Sequence, residues 1–205
     1  MKRTHFFTES AKQLLNILPQ DNIAKEFSLV LQHFLIALSP TPLSKKRARL
    51  AKLATRLNLL STLEFIQWLL DMGKEMEDEQ VDVLGDFFQG AITHGEHGQF
   101  FTPMNVCLLM AQLSKSKTPK PTVNDPACGS GRTLIAYHLV HKPKNTIYTG
   151  IDKSLTCVRM TAINMCMFGM NGVTMHGNTL SNERWTSYYI KPPFIKVVKI
   201  KKNNI

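Results

Sequence analysis

The sequence predicts an α/β fold of Rossmann-like type that follows an all-helical N-terminal domain. A small-residue turn at 124–131 (Asn-Asp-Pro-Ala-Cys-Gly-Ser-Gly) separates a β-type lead-in at 122–123 from an apolar-periodic helix at 133–140. A second strand at 147–151 ends at the acidic residue Asp152. Residues 1–90, by contrast, carry apolar side chains at helical spacing. A strand, a glycine turn and a helix followed by a strand ending in an acid are typical of a nucleotide-type α/β fold.

Composition places the chain among globular proteins. Its 205 residues, 43% hydrophobic and 20% charged, suffice for one sizeable core or two small domains. The apolar runs are shorter than the ~18 residues of a membrane span, and no signal-peptide core follows Met1. The four cysteines form no CxxC pair, which predicts buried thiols, a cytoplasmic location and no structural metal site.

The charge balance favours polyanionic partners. The formal net charge is +10 and the pI is near 9.6, a balance that attracts nucleic acid through non-specific electrostatics. The alternative is that this charge serves solubility alone.

Residues 1–92 are predicted to form the helical N-terminal domain. A helix through Ile23 and Leu35 ends at the Ser-Pro-Thr-Pro break at 39–42. Ser44 is predicted to cap a basic helix over 45–60, and an acidic segment at 75–86 is predicted to be a surface helix. The basic helix has one cationic face, which either lies along phosphates or is simply solvated; its members are Lys45, Arg49, Lys52 and Arg56.

Residues 93–205 are predicted to form the α/β domain, and a glycine-punctuated loop at 94–103 opens it. Thr102 is a good N-cap with Pro103 at the first helical position. His94 and His97 have metal-ligand spacing, but no third ligand lies near them, so we predict no metal there.

The central turn and Asp152 have the chemistry of a ribose-bearing cofactor site. Glycines let the backbone approach a ligand, and a helix N-terminus favours an anion. A carboxylate at the tip of the second strand can accept from both ribose hydroxyls. A third strand at 173–176 leads to a further polar turn at 177–180.

Four motifs in this order resemble the N6-adenine DNA methyltransferase family, and most closely the modification subunit of type I restriction–modification systems. They are Gly-Gln-Phe-Phe-Thr-Pro at 98–103, Asp-Pro-Ala-Cys-Gly-Ser-Gly at 125–131, Asp152, and Gly-Asn-Thr-Leu at 177–180. The segments 82–88 and 160–169 are also similar to helices of that family. The likeness covers roughly residues 80–180. It implies a Rossmann-like S-adenosylmethionine-dependent methyltransferase fold, truncated here, preceded by an all-α N-terminal domain.

The resemblance assigns S-adenosylmethionine as cofactor and gives its contacts. The loop residues that would close over the methionine part are Phe101, Thr102 and Pro103. The floor of the site would consist of Asp125, Pro126, Ala127, Gly129 and Gly131. Asp152 would take the ribose hydroxyls. Asn178, where the family usually has Asp, would meet the adenine edge.

The catalytic motif of the family departs from its pattern in this chain. The family uses Asn-Pro-Pro followed by Phe or Tyr, in which the Asn accepts hydrogens of the adenine amine and the ring stacks on the flipped base. This chain has Lys191, Pro192, Pro193 and Phe194 at the corresponding position, and a protonated lysine has no acceptor. The sequence also stops at Ile205, before the last three strands of a complete methyltransferase sheet. Two explanations stay open: a naturally shortened relative, or a fragment of a longer chain.

Two functions follow as hypotheses. The first is an adenine-specific (N6) DNA methyltransferase that acts on DNA with a partner that recognises sequence. The second is a degenerate cofactor-binding module that touches DNA or a partner through the basic helix and the Lys-rich tail. An uncovered sheet edge would favour a homodimer or a bound partner. Methylation of RNA or protein is a further alternative. Binding of NAD is not favoured, because the loop lacks the G-x-G-x-x-G spacing of NAD-binding proteins.

Overall fold

The computed structural model describes residues 8–18, 20–57, 62–93, 100–114 and 120–200. Within these residues the chain forms eight α-helices and five β-strands, which confirms the predicted mixed α/β class. The helices are α1 (Glu9–Ile17), α2 (Ile23–Ala37), α3 (Leu43–Leu57), α4 (Thr62–Glu79), α5 (Val83–Phe87), α6 (Met104–Leu113), α7 (Arg132–His141) and α8 (Leu155–Met167). The strands are β1 (Thr122–Asp125), β2 (Ile147–Asp152), β3 (Gly172–Asn178), β4 (Glu183–Lys191) and β5 (Phe194–Lys199).

The described residues group into two compact units. The first, here called the helical unit, comprises those of Met1–Ala37 and Thr41–Phe101. The second, here called the sheet unit, comprises those of Leu38–Pro40 and Thr102–Ile205. None of the described helices combines the length and the apolar character that a membrane crossing requires.

The core of the helical unit is aromatic and aliphatic. Phe27 of α2 lies 4.8 Å from Phe87 of α5 between ring centroids, and Phe34 meets Trp68 of α4 edge to face at 6.0 Å. Such offset and T-shaped pairs stabilise a core beyond the area they bury. These contacts are possible because the apolar positions of α2 recur at helical spacing, as the sequence predicted.

The acidic segment at 75–86 is not the single surface helix that the sequence predicted. Helix α4 runs without a break from Thr62 to Glu79, and Asp82 then caps the separate helix α5 by accepting from Gly85 N at 2.9 Å. Asp82 itself is buried. The prediction was wrong because Asp82 prefers to bond the backbone at a helix start, where its carboxylate satisfies an N–H group.

Glu75 of α4 holds the beginning of α1. Its two carboxylate oxygens accept from the backbone N–H groups of Glu9 and Ser10, both at 2.8 Å. Trp68 of the same helix donates its indole N–H to Ser10 O at 2.7 Å. A carboxylate at a helix N-terminus is favourable because the first N–H groups have no partner within the helix.

The basic helix α3 begins at Leu43, before the predicted cap Ser44, so Ser44 lies inside the helix. Lys45, Arg49 and Lys52 are exposed, as a cationic face requires. The side chain of Arg56 and residues 58–60 lie outside the described part of the chain.

The five strands form one sheet in the order β1-β2-β3-β4-β5. The first three are parallel and are joined by α7 and α8, which are crossover connections of the length that parallel pairing needs. The fourth follows β3 after only four residues and is therefore antiparallel, and β5 folds back on β4 as a hairpin. Helix α8 buries the middle of the sheet through residues such as Val158 and Ile163.

Candidate functional site

The carboxyl ends of the three parallel strands lie at one edge of the sheet. Asp125 ends β1, Asp152 ends β2 and Asn178 ends β3. The strand registers place Asp125 beside Gly150 and Asp152 beside His176. The structure therefore brings these three predicted residues to a common edge, where open α/β sheets bind their ligands.

The glycine loop between β1 and α7 has a left-handed backbone at two of its glycines. Gly129 has φ 55° and Gly131 has φ 93°, conformations that side chains disfavour. A Cβ on Gly131 would also lie 2.9 Å from the Cγ2 atom of Thr161. Gly131 is the N-cap of α7 and offers no side-chain acceptor to its first turn. The loop thus brings a helix N-terminus without a side-chain cap to the edge of the sheet.

Asp152 fixes this loop from the neighbouring strand. Its Oδ2 atom accepts from Gly129 N at 2.9 Å, and its Oδ1 atom accepts from Ser154 N at 2.7 Å. An ionised carboxylate has about four lone-pair sites, so roughly two remain for further donors. The side chain is half-buried and still open to such donors. The sequence pointed to Asp152 as a cofactor residue and did not predict that it also holds the loop.

Asp125 ties the two ends of the loop together. Its Oδ1 atom accepts from Ala127 N at 3.0 Å, and its Oδ2 atom accepts from the hydroxyl of Thr133 in the first turn of α7. Both acids of the edge therefore serve the geometry of the turn, and both contribute negative charge beside it. Pro126 and Ala127, which complete the predicted floor, are exposed.

Two fully buried polar residues of α8 hold the loop by hydrogen bonds, and they were not among the residues predicted for the site. Thr161 donates to Gly129 O at 2.8 Å, and Asn164 donates to Ser130 O at 2.9 Å. Both side chains have no exposed surface. The available signal was a pair of polar residues three apart on an otherwise apolar helical face, since buried polar groups are kept where they find hydrogen-bond partners.

The turn after β3 contacts the same loop. Thr179 donates its hydroxyl to Pro126 O at 2.7 Å, and Asn178 Oδ1 accepts from Leu180 N at 3.1 Å. Asn178 is half-buried and Leu180 is 99% exposed beside it. The side-chain oxygen of Asn178 is thus partly used by its own turn.

The predicted loop at 98–103 is divided between the two units. Phe101 stacks on Phe88 within the helical unit, with ring centroids 5.9 Å apart. Thr102 and Pro103 belong to the sheet unit, where Thr102 O accepts from the thiol of Cys107 at 3.6 Å. Pro103, not Thr102, is the N-cap of α6, and its side chain makes no cap hydrogen bond, so the predicted Thr102 cap was wrong. Residues 94–99, with His94 and His97, lie outside the described residues.

A cavity of about 360 Å³ lies against the loop on the side of α6 and α7. Its lining is mainly apolar and shares Asp125 and Pro126 with the site described above. The lining residues are Cys107, Met110, Ala111, Ser114, Val123, Asn124, Asp125, Pro126, Thr133, Leu134 and Tyr137.

The cysteine of the loop is a packing residue. Cys128 is buried, and burial raises the pKa of its thiol far above the ordinary range. It therefore stays protonated and is a poor nucleophile. All four cysteines are buried as thiols, as predicted. Among the described residues, no three metal-binding side chains come together.

The structure does not bring residues 191–194 to this edge. Lys191 ends the antiparallel strand β4, Pro192 and Pro193 form the turn, and Phe194 begins β5. Ile190 pairs with Gly172, the first residue of β3, whereas Asn178 is its last. Six residue steps at ~3.3 Å separate these two ends of the strand by about 20 Å. The motif that the resemblance assigns to catalysis lies at the opposite edge of the sheet.

Comparisons with known proteins agree with the motif set. The family model of the N-6 DNA methylases matches residues 79–199. A methylase subunit of the type I restriction enzyme MjaVIII from Methanocaldococcus jannaschii is 26% identical over 123 residues, which are 56% of this chain and 21% of that protein. The type II methyltransferase M.MamI from Microbacterium ammoniaphilum is 24% identical over 137 residues, 58% of this chain and 38% of that protein.

A crystal structure of a type I restriction–modification methyltransferase subunit from Streptococcus thermophilus superposes on 82% of this chain and 39% of its own, with a TM-score of 0.34 and 18% identity. This chain spans between about a fifth and two fifths of the curated relatives that it matches. The family model covers more than half of the chain and includes the loop, the edge residues and the hairpin. The chain belongs to the N-6 DNA methylase family.

Proposed function

We propose that this chain binds S-adenosylmethionine at the carboxyl edge of the sheet and acts in methylation of the N6 amine of adenine in DNA. The observation that carries the proposal is the Asp152 carboxylate, which holds the glycine loop with one face and keeps acceptor sites for a ligand on the other. A cofactor bound by the same carboxylate that shapes the loop would be positioned by a rigid group.

The donors and charges of the edge fit this cofactor. Its sulfonium is cationic, and Asp125 and Asp152 place two carboxylates around the turn. Its carboxylate suits the N-terminus of α7, where Gly131 leaves the first turn without a side-chain cap. Asn178 is a hydrogen-bonding group at the tip of the third strand, where the adenine edge would lie. When bound, the cofactor supplies the electrophilic methyl group; the chain's own residues bind and orient it.

Calorimetric titration of S-adenosylmethionine into the purified chain tests the cofactor proposal. We expect saturable binding that Asp152→Asn weakens at least tenfold and that Asp78→Asn leaves unchanged. Asp78 is an exposed carboxylate of α4 and has the same chemistry outside the site. If ligand at millimolar concentration gives no heat, the proposal is rejected.

A second candidate function is a cofactor-binding module without methylase activity. The specific observation in its favour is that Lys191 follows Ile190, which pairs with Gly172 at the start of β3, whereas Asp152 pairs with His176, four residue steps or about 13 Å further along that strand. Transfer of a tritiated methyl group to adenine-containing duplex DNA separates the two candidates. Incorporation that disappears when adenine is replaced supports the methylase, whereas binding without incorporation supports the module.

The finer architecture and the partners belong to the same proposal. We take residues 1–92 as an all-α N-terminal domain and 93–205 as a Rossmann-like methyltransferase domain that is partial relative to its relatives. DNA is the proposed substrate, and a sequence-recognition subunit or a second copy is the proposed partner, in the cytoplasm. Co-purification with a DNA-recognition subunit tests the first partner, and light scattering of the isolated chain tests the second.

A further inference from the structure

We propose that the outer face of the β4–β5 hairpin binds single-stranded nucleic acid by stacking bases on two aromatic rings between lysines. The surface is defined by Tyr189, Lys191, Phe194 and Lys196, and is here called the hairpin face. It is separate from the carboxyl edge of the sheet, where we propose that the cofactor binds, and the inference does not rest on the proposed methyl transfer.

The register of the hairpin puts these four side chains on one face. Tyr189 pairs with Lys196, and Lys191 pairs with Phe194. Residues directly opposite in an antiparallel pair share a face, and so do residues two apart on one strand. The two rings are therefore diagonal neighbours, and the two lysines occupy the other diagonal.

The other face of the hairpin is the one that builds the core. Tyr188, Ile190 and Ile195 alternate with the hairpin face and are buried. Helix α8 contacts both strands on that side, where Arg159 donates to the hydroxyl of Tyr188 at 3.5 Å. By contrast, Tyr189 is 52% exposed and Phe194 is 48% exposed, and both lysines are exposed. Because about half of the surface of Tyr189 and of Phe194 is exposed to solvent, these two rings contribute little to the hydrophobic core.

Charge decides which occupant fits this face. Residues 184–200 contain no acidic residue, and their cations are Arg184, Lys191, Lys196 and Lys199. Exposed rings between lysines are the combination that binds single strands, because each base has a face to stack and each phosphate a charge to neutralise. In a duplex the bases are already stacked on one another, so the rings find no partner there.

The edge of the hairpin is less open than its face, which argues against a protein strand as the occupant. Ile195 N of the outer strand β5 donates to Leu38 O at 2.8 Å. An added β-strand needs the outward N–H groups of an edge, and this one is already engaged. Base stacking on the exposed face requires no free backbone N–H groups.

Fluorescence anisotropy of a labelled oligothymidine with the full chain tests the proposal. We expect Tyr189→Ala to weaken binding about fivefold or more, the factor that corresponds to ~1 kcal/mol of stacking per base. Tyr189→Phe keeps the ring and should keep the affinity. A matched duplex should bind more weakly than the single strand at the same salt concentration.

Paired lysine variants test the electrostatic part. Replacing both lysines of the hairpin face by glutamine should lower the slope of log K against log salt by about 1.4, since each phosphate contact contributes ~0.7 for a single strand. The control replaces Lys25 and Lys74, two exposed lysines of α2 and α4, and should leave the slope unchanged.

The outcomes that overturn the proposal are equal binding of duplex and single strand, wild-type affinity in Tyr189→Ala, and an equal loss in Tyr189→Phe. The measurement uses no S-adenosylmethionine, so its failure leaves the calorimetric result on the cofactor site unaffected. Circular dichroism of Tyr189→Ala verifies that the hairpin is still folded.

Discussion

Asp152→Asn should both destabilise the fold and weaken the proposed binding of S-adenosylmethionine. In the wild type the carboxylate accepts from the N–H groups of Gly129 and Ser154. Asparagine offers one oxygen and one amino group, so one of the two N–H groups then faces a donor. A hydrogen bond to a charged group contributes about 1.5–3 kcal/mol, and the retained bond becomes a neutral one of about 0.5–1.5 kcal/mol.

Because Asp152 is half-buried, we take the lower end of these values and expect the free energy of unfolding to fall by about 2 kcal/mol. For a chain of this size that corresponds to a decrease in Tm of about 4–8 °C. Thermal unfolding followed by circular dichroism measures it. The control Asp78→Asn changes an exposed carboxylate and should change the stability by less than ~0.5 kcal/mol.

Two results would refute this reasoning. Unfolding of Asp152→Asn at the wild-type temperature would mean that the carboxylate does not hold the loop. A destabilised variant that binds S-adenosylmethionine as tightly as the wild type would mean that Asp152 is structural and that the ribose is held elsewhere.

Variants at three further positions test other contacts. Thr161→Val removes the buried donor to the loop carbonyl and should lower the free energy of unfolding in urea by about 1–3 kcal/mol. Thr161→Ser keeps the hydroxyl and should lose much less. Equal stability of the two variants would exclude the hydroxyl as the cause. Glu75→Gln removes one of two hydrogen bonds to the start of α1, and hydrogen exchange of the first-turn amides should become faster there and not in α5. Burial lowers the pKa of His138 below its ordinary value near 6.5, so the unfolded chain takes up the proton first as the pH falls. Stability should therefore fall below about pH 6.5. His138→Gln, which can still meet Tyr148, should make that fall smaller; an unchanged slope would contradict the assignment.

The parts of the candidate site that could be predicted are those that depend on short, continuous segments of the sequence. The glycine loop, the β1 end at Asp125 and the β2 end at Asp152 depend on local backbone requirements and on strand length, and the structure has them where the sequence predicted them. The third strand was predicted at 173–176, and in the structure it extends two residues further, to Asn178. A glycine with positive φ and an acid after an apolar run are recognisable without any tertiary contact.

The contacts that hold the site could not be predicted because they join distant residues. Thr161 and Asn164 reach the loop across more than thirty positions of the chain. Nothing in the helical pattern of α8 shows which turn will lie under the loop. The same is true of Glu75, which caps a helix 66 residues away. Polar residues on a buried helical face indicate that such a partner exists without indicating which one it is.

The position of Lys191 and its neighbours follows, however, from the length of one connection. Only four residues separate β3 from β4, whereas a parallel crossover needs a dozen or more. Two adjacent strands joined by so short a turn must be antiparallel, so the end of β4 has to return to the edge where β3 began. The resemblance assigned residues 191–194 from their order after the third strand alone, without considering the direction of the fourth strand. The length of this connection therefore places the proposed cofactor site and the hairpin face at opposite ends of β3, and separate experiments can test these two surfaces.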